Sequence, residues 1–323
     1  MIKWNKVKKA LGRYVGDGGG GDGDPVFLLG PRRSGKTIFL ASLFNTDELK
    51  VASASPATLT WKEQTMPVFF ERLIPQRTDR LPDDYSPINE FKDRTRRDWQ
   101  QLASSKSDPH LFQRMMLDIA VTFPSDGSVR HPVCLPDPSG EIFVQPNILE
   151  SDGYERYLEA LVAAMGYVVI VGAGPEVCSG EPGQQATAVQ LVLHKLSEHA
   201  GNADYISRPV SVVMMKMDQH IRCCLDCNDS TAQARTACLH ARGLDSACME
   251  ELFGRWFHKV NLRTIKGIVA QQKLRFFGMS AYGFGPDGEP ACTLASNGED
   301  FVPTGDAQPI NIAEPLKWAL GIE

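Results

Sequence analysis

Residues Gly30 to Thr37 read G-P-R-R-S-G-K-T, behind the apolar run Val26-Phe27-Leu28-Leu29 and ahead of Ile38-Phe39-Leu40-Ala41-Ser42-Leu43-Phe44. A glycine-bearing turn between a buried strand and a helix aims backbone N–H groups and the helix N-terminus at an anion. In this setting Lys36 is expected to reach the β- and γ-phosphates of a nucleoside triphosphate, and the Thr37 hydroxyl to ligate Mg2+. Gly30, Arg32, Arg33, Ser34, Gly35 and Ile38 complete the expected phosphate cradle. The bland alternative is a strand-to-helix turn that happens to contain glycine, and the apolar strand before it and helix after it weigh against that.

Around this loop the composition is that of a globular protein. At 323 residues, 42% of them hydrophobic, the chain can build one enlarged core with insertions. We divide it into residues 1–24, a basic amphipathic helix with a Gly/Asp-rich linker, and residues 25–323, a nucleotide-binding domain with insertions at about 46–108 and 219–250. The formal charge of −5 supplies no global basic field, so no nucleic acid partner is implied. Eight cysteines in a chain of this size with an intracellular nucleotide motif are expected as reduced thiols rather than a disulfide framework. The chain contains no uninterrupted apolar stretch of membrane-spanning length and no secretory signal, so it is expected in the cytoplasm.

The N-terminal segment, residues 2–15, sets Trp4, Val7, Leu11 and Tyr14 along one helical stripe, with Lys3, Lys6, Lys8, Lys9 and Arg13 around it. Such a helix could rest on an anionic membrane surface or dock a partner, but covering the core of its own domain is the commoner use of such a stripe. The following G-D-G-G-G-G-D-G-D, residues 16–24, reads as a flexible linker. It lacks the glutamate an EF-hand loop requires.

Further along, prolines at 56, 67, 75, 82 and 87 argue against long regular elements before residue 87, and a charged helix is expected at 88–104. Strands are expected at 115–123 and 129–135, joined by the turn Pro124-Ser125-Asp126-Gly127 into an antiparallel hairpin. Helices at 154–164, 184–200 and 246–271 then alternate with strands at 167–171, 210–215 and 275–279. This alternation predicts a three-layer α/β fold of the P-loop NTPase kind: a mostly parallel six-stranded sheet with one antiparallel strand, plus insertions.

Three later segments fall at the ends of these strands. Val133-Cys134-Leu135-Pro136 runs into Asp137-Pro138-Ser139-Gly140-Glu141. Beside a phosphate loop, an aspartate at a strand tip with glycine three residues later is expected to hold Mg2+ through Asp137 and to offer the Gly140 N–H to a γ-phosphate. Alone, D-x-x-G is often a simple turn. Met215-Lys216-Met217-Asp218 and Ser280-Ala281-Tyr282-Gly283 follow the fifth and sixth strands, where loops line a ligand crevice.

In this order the four segments resemble the guanine-nucleotide-binding switch proteins of the translation-factor and Ras-like class, from about residue 25 to the C-terminal helix. Within the class, D-P-S-G-E, the size and the ending P-I-N-I-A-E-P-L-K-W-A-L look most like the bacterial double-GTPase families of conflict systems. The resemblance implies GTP or GDP with Mg2+ as ligand, GTP hydrolysis, and a protein effector or regulator. Asp218 would accept hydrogen bonds from N1 and N2 of guanine, Lys216 would lay its stem across the purine, and the Ala281 N–H, in the loop begun by Ser280, would meet O6.

The chain departs from the class at three places. Met215 stands where the class has Asn or Thr, removing a side chain that ties this loop to the phosphate loop, so base affinity is expected to fall while Asp218 keeps specificity. Arg32 and Arg33 stand where small residues are common. Arg33 is either an arginine finger supplied in cis or an exposed arginine in a surface ion pair. Glu141 replaces the glutamine that orients the attacking water, so slow hydrolysis is expected. Thr58, Thr60, Thr65 and Thr78 are equal candidates for the threonine that completes the Mg2+ shell. In the second insertion, Cys224, Cys227, Cys238 and His240 could close a tetrahedral zinc site, but the spacing fits no standard finger and buried thiols are the favoured reading. Two rival functions stay open: an ATP-dependent P-loop enzyme, which makes Asp218 irrelevant, and a nucleotide-bound scaffold with little hydrolysis.

Overall fold

The structure is a computed structural model that describes residues 24–31, 34–43, 45–56, 116–127, 129–136, 164–174, 193–194, 206–256, 258–291, 293–296, 301–304 and 307–322. The expected N-terminal helix, the linker at 16–23 and the helix at 88–104 lie outside these residues, as do nearly all of the helices expected at 154–164 and 184–200.

The apolar run ahead of the phosphate loop is strand β1 (Asp24–Leu29), and Lys36–Ser42 forms helix α1. Next come β2 (Lys50–Pro56), β3 (Met116–Thr122), β4 (His131–Pro136), β5 (Gly166–Gly172) and β6 (Val210–Met215). Four helices follow: α2 (Met217–Leu225), α3 (Ala232–Gly243), α4 (Ser246–Trp256) and α5 (His258–Ile268). The chain then forms β7 (Leu274–Gly278), a separate antiparallel pair β8 (Thr293–Ser296) and β9 (Phe301–Thr304), and α6 (Ala313–Leu320).

The main sheet has the order β2-β3-β4-β1-β5-β6-β7. β3 pairs antiparallel with both neighbours, and all other pairings are parallel. The expected hairpin is therefore β3–β4, but among the described residues the sheet has seven strands rather than six. The extra strand, β2, reads K-V-A-S-A-S-P and offers a single β-branched residue, so its local preference for extended structure is weak. It becomes a strand through backbone pairing with β3, from Lys50↔Thr122 to Pro56↔Leu117.

Every residue of β5 and β6 is buried, as expected for central parallel strands covered on both sides. Alternate residues serve separate clusters. Phe27, Leu29, Val169, Val171, Val212 and Met214 join Leu239, Met249, Phe253 and Trp256 from α3 and α4. Val26, Leu28, Val168, Ile170 and Val213 join Phe39 and Leu40 of α1 and Leu316 and Ala319 of α6. Helices thus cover both faces of the sheet.

The single helix expected over 246–271 is instead α4 and α5. A continuous helix of that span would run about 39 Å and hold residues 254 and 262 about 12 Å apart along its axis. Instead a Cβ on Gly254 of α4 would lie 3.2 Å from Leu262 Cδ2 of α5, so the second helix packs back toward the first. Among the described residues no helix is long and apolar enough to cross a membrane.

Candidate functional site

Parallel pairing carries the ends of β1, β6 and β7 to the same edge of the sheet, and the loops that leave those ends contain the expected phosphate and base residues. At the end of β1, Gly30 has φ 149°, and a Cβ there would lie 2.2 Å from the Ile170 carbonyl oxygen. Only glycine lets the loop turn this closely against β5. Lys36, 8% exposed, donates from Nζ to the carbonyls of Gly30 at 2.8 Å and Pro31 at 3.2 Å. Its charge therefore lies inside the loop. Ser34 Oγ is buried in the same loop without a hydrogen-bond partner. Gly35 has φ 105°, and Ile38 follows it in α1.

The base side is built by the turn from β6 into α2. Lys216 is the N-cap of α2 in the left-handed region, φ 66°, a conformation that costs a non-glycine residue energy and tends to persist where the surroundings over-determine it. This turn places Asp218 in the first turn of α2, 4% exposed. From the loop after β7, Ser280 Oγ donates to Asp218 Oδ1 at 2.6 Å and accepts from the N–H groups of Tyr282 at 3.1 Å and Gly283 at 2.8 Å. Asp218 Oδ2 is buried with no partner. Burial pushes the Asp218 carboxyl up to about 6, against the opposing effects of the Ser280 bond, its own backbone N–H and the nearby Lys216 charge. Ala281, 5% exposed, sits between the bonded residues Ser280 and Tyr282.

Met215 joins the two halves. A Cβ on Gly35 would meet Met215 Cε and Cγ at 3.4 Å each, so the thioether side chain lies against the phosphate loop. The contact expected to be lost with the polar residue of the class is replaced by van der Waals packing. Backbone bonds lock the base loops together from Met217 N to Met279 O at 3.2 Å and from Met279 N to Met214 O at 2.9 Å.

The structure thus brings together Gly30, Ser34, Gly35, Lys36, Ile38, Lys216, Asp218, Ser280 and Ala281. Arg32, Arg33, Asp137, Gly140 and Glu141 lie outside the described residues, as do Thr58, Thr60, Thr65, Thr78 and the side chain of Thr37. β4, which leads into Asp137, pairs beside β1.

The cysteine-rich insertion is helical, and no group of three or more metal-ligating side chains forms among the described residues. Cys238 and His240, two positions apart on α3, project in widely different directions. Cys238 is half-buried with its thiol beside Cys227, whereas His240 is exposed, so the four residues do not converge. Cys224, Cys227, Cys238 and Cys248 are free thiols as expected, but Cys223 is disulfide-bonded, a departure from the all-reduced reading. Cys223 lies on the exposed face of α2.

Sequence reasoning passed over two residues that hold this site's frame. Arg235, 1% exposed on α3, donates from Nε to Asp229 O at 3.0 Å and from Nη1 to Gly288 O, clamping the segment after the Ser280 loop onto the helical insertion. Glu48 accepts from the backbone N–H of Asn311 and, at 2.8 Å, of Ala313, and so caps α6, whose own N-cap residue Ile312 makes no side-chain capping bond. The Arg235–Gly288 bond and both Glu48 bonds join segments far apart in sequence and leave no local signal.

No protein-family model and no curated protein matches this chain. Among solved structures it is similar to the signal recognition particle receptor SRb-GTP/SRX complex from Chaetomium thermophilum, with 15% identity over 82% of this chain and 94% of that chain and a TM-score of 0.37. It is also similar to the signal recognition particle receptor SRb-GDP-Mg from the same organism, with 13% identity over 81% of this chain and 93% of that chain and a TM-score of 0.25. These likenesses are partial, and the fold of this chain stands on its own strand order.

Proposed function

We propose that this chain is a cytoplasmic GTP-binding switch that hydrolyses GTP slowly and signals to a protein partner. The observation that carries the reading is the convergence of two complementary half-sites at one sheet edge. One is a phosphate loop with Lys36 folded into it, and the other is a buried carboxylate at Asp218 held by Ser280 with one oxygen unsatisfied. A purine with adjacent N1 and N2 donors satisfies that carboxylate, and adenine does not, because it presents an acceptor at N1.

In this reading Lys36 neutralises the β- and γ-phosphates while Lys216 and Ala281 border the base. Arg33 lays a guanidinium against the γ-phosphate, Gly140 donates to it, and Glu141 orients the attacking water. A hydroxyl and a carboxylate suit a hard, oxygen-seeking ion, so Thr37 and Asp137 would hold Mg2+, which when bound offsets the charge between the β- and γ-phosphates. The motif D-P-S-G-E and the C-terminal P-I-N-I-A-E-P support placing the switch among bacterial conflict-system GTPases.

Competition of GTP, GDP and ATP for the purified full chain tests the binding half of this reading. Preference for guanine by about a hundredfold is expected, and equal competition by ATP would overturn it. Single-turnover hydrolysis tests the chemistry: Arg33→Ala should slow turnover far more than it weakens binding, and Glu141→Gln should change turnover with binding nearly intact. A chain that holds GTP unhydrolysed, alone and with partners, is a scaffold rather than a switch.

A further inference from the structure

We infer that Asn311 is a positioning residue for guanine selectivity, acting through Gly278 and Ser280 on the Asp218 carboxylate without touching the base. The inference rests on the guanine reading above and gives a role to the C-terminal P-I-N-I-A segment. Asn311 is fully buried and sits in the left-handed region, φ 63°. Its Nδ2 donates to Leu239 O of α3 at 2.8 Å and to Gly278 O at the end of β7 at 2.9 Å, while its backbone N–H donates to Glu48. Its Oδ1 is buried and accepts no bond, so the amide serves here only as a donor.

The same segment frames the base loop bond by bond. Ile310 N donates to Ser280 O at 2.8 Å, Ser280 N to Ile310 O at 3.2 Å, and Gln308 N to Tyr282 O at 2.9 Å. Ser280 in turn holds Asp218 Oδ1. Two short routes therefore lead from Asn311 to the carboxylate that would read the base: its amide holds Gly278 O two residues before Ser280, its chain neighbour Ile310 pairs with the Ser280 backbone, and Ser280 Oγ bonds Asp218. The α3 end is shaped to admit the amide. A Cβ on Gly243 would lie 2.6 Å from Asn311 Nδ2 and 2.6 Å from Gly278 O. Hydrogen-bond recognition depends on distance and angle, so a small shift of Ser280 costs guanine pairing while leaving phosphate contacts at the end of β1 in place.

The test compares Asn311→Asp, Asn311→Gly and Gly243→Ala in the full chain. Aspartate keeps the shape but turns a carboxylate toward two carbonyls, glycine keeps the left-handed backbone and removes the amide, and the Gly243 change wedges the amide and the Gly278 carbonyl apart without altering either. Affinities for GTP, for inosine triphosphate, which lacks the 2-amino donor, and for ATP are measured together with thermal stability. The expected result is a loss of about tenfold or more in the preference for GTP over both competitors, with ATP affinity unchanged within about twofold. Weakening of all three nucleotides in parallel would mean a merely structural role and would overturn the inference, as would an unchanged preference in variants that fold. A wild-type chain with no preference for GTP over ATP overturns the guanine reading and this inference with it. A wild-type preference that survives all three changes overturns this inference alone.

Discussion

Ser280 and Asp218, 62 residues apart in sequence, meet through a 2.6 Å hydrogen bond that satisfies one carboxylate oxygen and leaves the other buried without a partner. A buried acceptor in that condition costs stability until something donates to it. The site is therefore less favourable alone than with a ligand carrying two adjacent donors, which gives the first two predictions their sign.

Asp218→Asn should stabilise the nucleotide-free protein near pH 7.5 by about 2–3 kcal/mol while weakening GTP binding by about a hundredfold or more. In the folded chain the carboxyl is raised from 3.8 to about 6. The folded state thus holds this proton more tightly than the unfolded state, and stability falls as pH rises from about 4 through about 6. A neutral amide removes the cost of burying the charge, and its Nδ2, buried where Oδ2 lacked a partner, gives part of that gain back. Xanthosine triphosphate, which presents an acceptor where guanine has its 2-amino group, should gain affinity for the variant. Denaturant unfolding and nucleotide titration on the same preparation check both halves.

Guanine binding should weaken on acidification. Below pH about 6 the free protein carries a protonated Asp218, and each further unit should cost about tenfold in affinity. The ratio of GDP to ADP affinity isolates this effect from protonation of the phosphates. That ratio should be flat above pH 7, decline below 6, and lose its pH dependence in Asp218→Asn.

Gly30→Ala should abolish nucleotide binding and cost about 2–4 kcal/mol of stability. Its Cβ would lie 2.2 Å from Ile170 O and 2.9 Å from Ser34 Oγ, in a backbone conformation that alanine rarely adopts. The loop would have to withdraw from β5, carrying with it the carbonyls that hold Lys36. Calorimetric unfolding together with titration by GTP and ATP measures the effect, and both nucleotides should be lost together.

Glu48→Ala should lower stability by about 1–2 kcal/mol, because two N–H groups at the start of α6 lose their acceptor and the helix dipole loses a facing carboxylate. Glu48→Gln, which keeps an acceptor oxygen without the charge, should recover part of that loss in denaturant unfolding. Since Glu48 also ties the segment between α1 and β2 to α6, any nucleotide-driven movement reaching residue 48 must break these bonds.

Local pattern made most of the sheet and the candidate site legible. The apolar runs of β1, β5 and β6 are long enough to announce buried parallel strands, and the phosphate loop, M-K-M-D and S-A-Y-G each reveal themselves as short contiguous words at strand ends. β2 stayed hidden because its alanines and serines carry little strand preference, and β3 alone makes it extended. The break between α4 and α5 stayed hidden because it is marked by the packing of Leu262 against Gly254, eight positions earlier, and not by a proline or glycine at the break.

What the sequence determined by itself is the set of chemical groups and their order along the chain, because spacing within a turn is fixed by covalent geometry. What only the tertiary structure decided is their relation. Met215 lies against Gly35, Ser280 holds Asp218, Glu48 caps α6, and Asn311 ties α3 to the end of β7. Those contacts join residues tens to hundreds of positions apart, and hydrogen bonds and packing of that kind exist only once the parallel sheet has carried its strand ends to one edge.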